Sequence, residues 1–191
     1  MEQNYISNDV FEQIKDFKSY WRLNEEQKLL IDKLIPNEEL KQRYKRFGLC
    51  KGCKQPNTTG NSAAGYYWCQ SCNSKRFQQN FKNWASGNSD VDKLIQESQL
   101  NAKDKREFLE WIEYDRFENI EYIAKGGFGK VYKAIWKDGY IHNWDYKTNQ
   151  WERQGDMNVA LKCLNNSKDI TLEFLNEVNI TNKICKQITY Y

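Results

Sequence analysis

The chain has 191 residues, 39% of them hydrophobic and 15% aromatic, with a formal net charge of +3. That length suits two small units better than one extended core. No apolar run is long enough to span a bilayer, and the polar start Met1-Glu2-Gln3-Asn4-Tyr5 does not resemble a secretory signal, so none is expected. A cytoplasmic protein with no membrane partner is expected.

Residues 1–47 read as a helical segment. Asn24-Glu25-Glu26-Gln27 has the form of a capping box, opening a helix that turns Leu30, Ile31, Leu34 and Ile35 inward. Pro36 stops it, and Asn37 is placed to cap a second helix from Glu38 to Phe47.

Residues 48–84 carry Cys50-x-x-Cys53 and Cys69-x-x-Cys72, the spacing of a four-cysteine zinc site. Each short turn offers two thiolates to one side of a tetrahedron, and the spacer lets the two sides meet. Without a leader the setting is expected to be reducing, which disfavours disulfides. Cys163 and Cys185 read as packed residues rather than ligands. A module this short needs its metal for stability.

No Asp or Glu occurs between Lys41 and Ser89, whereas Lys41, Arg43, Lys45, Arg46, Lys51, Lys54, Lys75, Arg76 and Lys82 do. Four thiolates around Zn²⁺ are formally −2, which accounts for part of the excess. Basic residues interleaved with Tyr44, Phe47, Tyr66, Tyr67, Trp68, Phe77, Phe81 and Trp84 can grip phosphates and stack bases, so nucleic acid is one possible partner. The preferred reading makes most of these aromatics the core of the small zinc module, with Phe77 to Trp84 a helical turn packed on it.

Residues 85–116 begin with the linker Ala85-Ser86-Gly87-Asn88-Ser89. Two helices are expected next: Asp90 to Glu97, with Val91, Leu94 and Ile95 inward, and Ala102 to Glu113, with Phe108, Trp111 and Ile112 inward.

In residues 117–191, Ile120, Tyr122 and Ala124 alternate with polar residues. Gly126-Gly127-Phe128-Gly129 follows, and then the β-prone Val131 to Trp136, which together read as strand, glycine turn, strand. Glycines let backbone N–H groups approach phosphate oxygens closely. Ile141 to Tyr146 and Gln150 to Arg153 flank Lys147-Thr148-Asn149 as a hairpin extending the sheet, with Trp144 and Trp151 paired across it. Val159-Ala160-Leu161-Lys162 reads as a buried strand delivering one amine to an interior site. Asp169 to about Lys183 reads as a helix bearing Glu173 and Glu177, the latter fifteen residues after Lys162.

This ordered series resembles the N-lobe of a protein kinase over about Phe117 to Lys186. With the four-cysteine segment before it, the chain is similar to kinase-like proteins of expanded fungal families. The resemblance implies an α+β fold: an antiparallel N-lobe sheet with its αC helix, preceded by helices and a small zinc module. It implies that Gly126, Gly127, Phe128 and Gly129 cover the phosphates of ATP and that Val131 and Ala160 sandwich adenine. Lys162 would bind the α- and β-phosphates, oriented by Glu177. Ala124 stands where the first loop glycine usually does, which predicts a stiffer loop and weak ATP binding. A complete member would phosphorylate Ser/Thr or Tyr. No H-R-D-x-x-x-x-N or D-F-G occurs, so an incomplete, truncated N-lobe is expected, without catalytic residues. A non-catalytic, pseudokinase-like module that binds a protein partner is the alternative.

Overall fold

The computed structural model describes residues 5–61, 63, 65–126, 129–164 and 189–190. Among these the fold is α+β, with five α-helices, one four-stranded sheet and two two-stranded sheets. The chain divides into two compact units, Met1–Lys75 and Arg76–Tyr191.

The first unit opens with α1 (Asn8–Ile14), α2 (Glu25–Leu34) and α3 (Glu38–Phe47). The capping box on α2 forms in both directions, Gln27 N–H to Asn24 Oδ1 at 2.8 Å and Asn24 N–H to Gln27 Oε1 at 3.2 Å. Asn37 Oδ1 accepts from Leu40 N–H at 3.0 Å and caps α3. These bonds satisfy amides that have no partner inside a helix. Ser7 caps α1, a helix not anticipated from the sequence although Val10, Phe11 and Ile14 carry its apolar face.

The core of this unit is Ile6, Ile14, Leu23, Ile31, Ile35, Leu40 and Tyr44. Burial pushes the Tyr44 hydroxyl up to about 12. Asp32 on α2 receives Lys45 of α3 at 2.8 Å, and that hydrogen bond holds its carboxyl below the usual range. The unit continues through the hairpin β1 (Thr59–Asn61) and β2 (Tyr66–Trp68) into α4 (Gln70–Asn80), the helix in which the two units divide.

In the second unit, α5 (Ser89–Asn101) starts under the Asn88 cap, which accepts from Asp90 and Val91 N–H. It is longer than the stretch expected from the sequence. The helix expected over 102–113 does not form. The backbone there is engaged by α5 instead: Gln99 Nε2 donates to Leu109 O at 2.7 Å, and Leu109 N–H donates to Ser98 Oγ at 3.0 Å. Those bonds replace the i to i−4 ladder, and Phe108 packs on Phe77 with ring centroids 4.8 Å apart.

The main sheet contains β3 (Phe117–Gly126), β4 (Gly129–Trp136) and β7 (Met157–Leu164), antiparallel in that order, with β8 (Thr189–Tyr190) added parallel to β7. One face holds the core residues Ala134, Trp136 and Leu161, with Phe117 and the flanking Tyr132 and Val159. The alternation of buried and exposed residues along β4 follows from a sheet covered on one side.

The predicted insertion hairpin forms as β5 (Ile141–Asp145) and β6 (Gln150–Arg153), with Trp144 opposite Trp151. It is a two-stranded sheet of its own rather than an extension of the main one. The reason lies at its base. Gly139 has φ +61°, and a Cβ there would meet Gly155 N at 2.7 Å, so the two chains cross at this point too closely for any side chain. Irregular bonds, including Asp156 N–H to Lys137 O at 3.1 Å and Gln154 N–H to Tyr140 O at 3.0 Å, replace regular pairing there.

Two expectations follow. Ile31 is fully buried, so Ile31→Ala is expected to lose about 2–5 kcal/mol by cavity formation, read as a lower urea midpoint. Arg116 makes a two-pronged ion pair with Asp138, with Nε to Oδ2 at 2.7 Å, and this holds the Asp138 carboxyl below its ordinary range. A depressed carboxylate stabilises the fold above its unfolded value and loses that contribution as pH falls through the folded one. The stability gap between wild type and Asp138→Asn should therefore be flat at neutral pH and shrink below about pH 4. Denaturation at a series of pH values measures it.

Candidate metal centre and candidate nucleotide face

Cys50, Cys53, Cys69 and Cys72 converge, their four sulfurs lying within 4.8 Å of one another. Cys50 Sγ is 3.8 Å from Cys72 Sγ, and Cys53 Sγ is 3.5 Å from Cys69 Sγ. These are far longer than a disulfide bond. A tetrahedral ion with Zn–S bonds of ~2.3 Å needs sulfurs ~3.8 Å apart. The donor set therefore fits a metal ion such as zinc, and the four ligands close its coordination sphere.

The first ligand pair sits on a tight knuckle. Cys50 N–H donates to Gln55 O at 2.7 Å and Lys54 N–H donates back to Cys50 O at 3.0 Å, with Lys54 left-handed at φ 63°. Next to it Leu49 and Pro56 form an isolated bridge. Arg43 of α3 fixes the far side, donating to Pro56 O at 2.6 Å and Asn57 O at 3.1 Å. The buried Asn57 side chain donates to Phe47 O at 3.0 Å. Gln55 closes the near side by bonding both backbone groups of Ile6, at 2.6 and 2.9 Å.

The second pair comes from the end of the β1–β2 hairpin. Trp68 is buried, and its carbonyl accepts Thr58 N–H at 2.7 Å. Gly60 lies opposite Tyr67, and a Cβ at Gly60 would fall 2.6 Å from the Tyr67 ring, so glycine lets that ring lie across the hairpin. Cys69 then leads into α4, its carbonyl accepting Asn73 N–H at 2.9 Å, and Cys72 lies in the first turn.

The thiols titrate as a group. Cys50 opposes ionisation of Cys53, but hydrogen bonds from Cys69 and Cys72 outweigh it and draw Cys53 down to about 6. Cys69 and Cys72 are driven upward, each first by Cys50 and then by Cys53. A cation among the sulfurs removes that conflict, because metal binding takes the thiolate forms and releases the protons.

Cys163 is half-buried on β7 and lies outside the cluster; Cys185 lies outside the described residues. Much of the basic stretch is engaged locally. Lys41 pairs with Glu38 at 3.1 Å and Lys45 with Asp32, while Arg43 is held by carbonyls. Arg46 and Lys54 lie over the rings of Phe47 and Phe11. Lys51, Lys75 and Lys82 have no ion-pair partner among the described residues. Tyr44, Trp68 and Phe77 are buried, whereas Tyr67 is exposed. The role of Arg43 in bracing the knuckle had no signal in the sequence beyond its place on α3.

On the main sheet, Ala124 pairs with Val131, which pairs with Lys162, and Lys133 pairs with Ala160. Cross-strand partners share a face, so Ala124, Val131, Ala160 and Lys162 all lie on the face opposite the Trp136 core. Gly126 pairs with Gly129 at the end of the β3–β4 hairpin; Gly127 and Phe128 lie outside the described residues, as do Glu173, Glu177 and the helix expected to carry them. The face differs from the buried one expected. Ala160 is exposed and Lys162 half-buried, because only Val159 and Leu161 of this run turn toward the core. Lys133 on the same face pairs with Glu121 at 2.9 Å.

No helix among the described residues is long and apolar enough to cross a membrane. No family model, curated protein or solved structure matches the chain.

The metal centre makes a direct expectation. The purified chain should carry about one metal ion, and Cys69→Ser combined with Cys72→Ser should abolish it. Elemental analysis of both proteins reads this. Chelation of the wild-type protein should also lower the melting temperature of the first unit, because metal binding and folding are coupled.

Proposed function

We propose that this chain is a structural-zinc protein carrying a protein-kinase-like nucleotide face that binds the phosphates of ATP. Four thiolates are a soft, tetrahedral donor set, which favours Zn²⁺ over the oxygen-seeking divalent ions. A sphere closed by protein ligands leaves no position for substrate, so the metal's work is to hold the knuckle and α4 together.

The observation that carries the nucleotide reading is the strand register. Ala124, Val131, Ala160 and Lys162 share the sheet face away from the core, and the Gly126–Gly129 turn lies at the end of the same strands. In this reading Lys162 supplies the cation for the α- and β-phosphates, and backbone amides of the turn donate to their oxygens. Val131 and Ala160 offer small apolar surface to the base. Glu177 is the partner proposed for Lys162. The methyl of Ala124 narrows the room beside the turn, so affinity is modest.

Phosphoryl transfer needs a carboxylate on Mg²⁺ and a base for the acceptor hydroxyl. Neither H-R-D-x-x-x-x-N nor D-F-G occurs in these 191 residues, so the activity proposed for them is binding. Calorimetry with ATP on wild type and Lys162→Met tests it. The variant should bind about tenfold more weakly or worse, the value of one charge-assisted contact to phosphate. Equal affinity in the two proteins would remove Lys162 from the site, and absence of binding in both would remove the site.

A further inference from the structure

The β5–β6 hairpin carries a cluster that neither the metal nor the nucleotide reading uses. Trp144 and Trp151 face each other across the strands, with ring centroids 5.0 Å apart and planes at 85°. Tyr146 opens the turn directly after β5. All three rings converge on the guanidinium of Arg76, whose carbon lies 4.1 Å from the Trp144 centroid, 5.2 Å from Tyr146 and 6.0 Å from Trp151.

The walls are braced from behind. Phe77 stacks on Trp151 at 4.9 Å and 25°, and Phe108 packs on Phe77 at 4.8 Å. Phe77 is buried, the two tryptophans are half-buried and Tyr146 is exposed, so the box is supported on one side and reachable on the other. At the neighbouring turn, Asp145 accepts from Lys147 N–H and from the Thr148 hydroxyl, both at 2.8 Å, which fixes the backbone next to Tyr146.

We propose that Trp144, Tyr146 and Trp151 form an aromatic cage for a methylated ammonium group, with Arg76 as its internal competitor. Rings at large angles around one cation favour diffuse, weakly hydrated charge, because each ring face attracts it without supplying a hydrogen-bond acceptor. A guanidinium meets that requirement in part, and a trimethylated ammonium meets it fully. The ligand class is thus the methylated side chain of a lysine, or a free quaternary amine of the same chemistry. Arg76 is tethered beside the cage and competes at an effective concentration on the order of millimolar. Ligand entry consequently displaces Arg76 and frees its charge.

The test titrates the full, metal-loaded chain and follows the indole N–H resonances of Trp144 and Trp151, assigned by Trp→Phe substitution. The probes are a short peptide bearing trimethyl-lysine, the same peptide with unmodified lysine, and choline. Arg76→Ala is expected to bind the trimethyl-lysine peptide about tenfold more tightly than wild type, with both indole signals shifting. Trp144→Ala in that background should abolish the effect. If choline matches the methylated peptide, the cation alone is the ligand; a tighter peptide assigns the site to a modified chain, and both agree with the cage. Equal response to the unmodified peptide, no gain from Arg76→Ala, or binding that survives Trp144→Ala would overturn it. Arg76→Gln, which keeps most of the aliphatic stem, serves the same comparison should the alanine variant fold poorly.

Discussion

Four sulfurs held within 4.8 Å of one another cannot all ionise unless a cation lies among them. Without one, Cys53 is drawn below the ordinary thiol range while Cys69 and Cys72 are pushed above it, each opposed first by Cys50. A divalent ion allows every thiolate to form. Such an ion would add a second tie between the knuckle and the start of α4, which already meet where Gln70 N–H donates to Thr58 Oγ1 at 3.0 Å. The bonds from Arg43, Asn57 and Gln55 orient the knuckle but do not join it to α4.

The second unit solves a different problem. Its main sheet buries Trp136, Phe117 and Leu161 on one face, while on the other Ala160 is exposed and Lys162 half-buried. The closely matched register of β4 and β7 over eight pairs ties each residue to a face, since a one-residue slip would turn Trp136 and Leu161 outward. That constraint sets Lys162 and Val131 together as a by-product of burying the core. The side chains that this other face presents are thus set by packing on the opposite side.

Sequence patterns revealed the parts governed by local rules. The capping residues Asn24 and Asn37, the two Cys-x-x-Cys turns, the strands around the glycine turn and the Trp144–Trp151 pair could all be read because each is specified by residues close in sequence or by cysteine spacing. Failures came where distant groups decide. The run 102–113 has the apolar spacing of a helix, but Ser98 and Gln99 take up its backbone. The hairpin departs from the sheet because Gly139 and Gly155 nearly touch, a proximity that no local pattern encodes. Val159 to Lys162 looked like a fully buried strand because a short apolar run has the same composition whether one face or both are covered. The convergence of Arg76 with Trp144, Tyr146 and Trp151 also joins residues from far apart in the chain, and composition alone gave no hint of it.

The pairing of Gln55 with Ile6 bears on how the first unit assembles. One side-chain amide bonds both the N–H and the carbonyl of a residue 49 positions earlier, which is what a neighbouring strand would do. Closing so long a loop costs entropy before it gains any contact. The knuckle, whose bonds span a few residues, can form first and hold the Gln55 amide in place. Metal capture at the knuckle would thereby convert an expensive search by the N-terminal segment into docking on a prepared acceptor and donor. In kinetic terms, the ion is expected to act early and α1 late, so metal supply during synthesis would govern how long the apolar face of Val10, Phe11 and Ile14 stays uncovered.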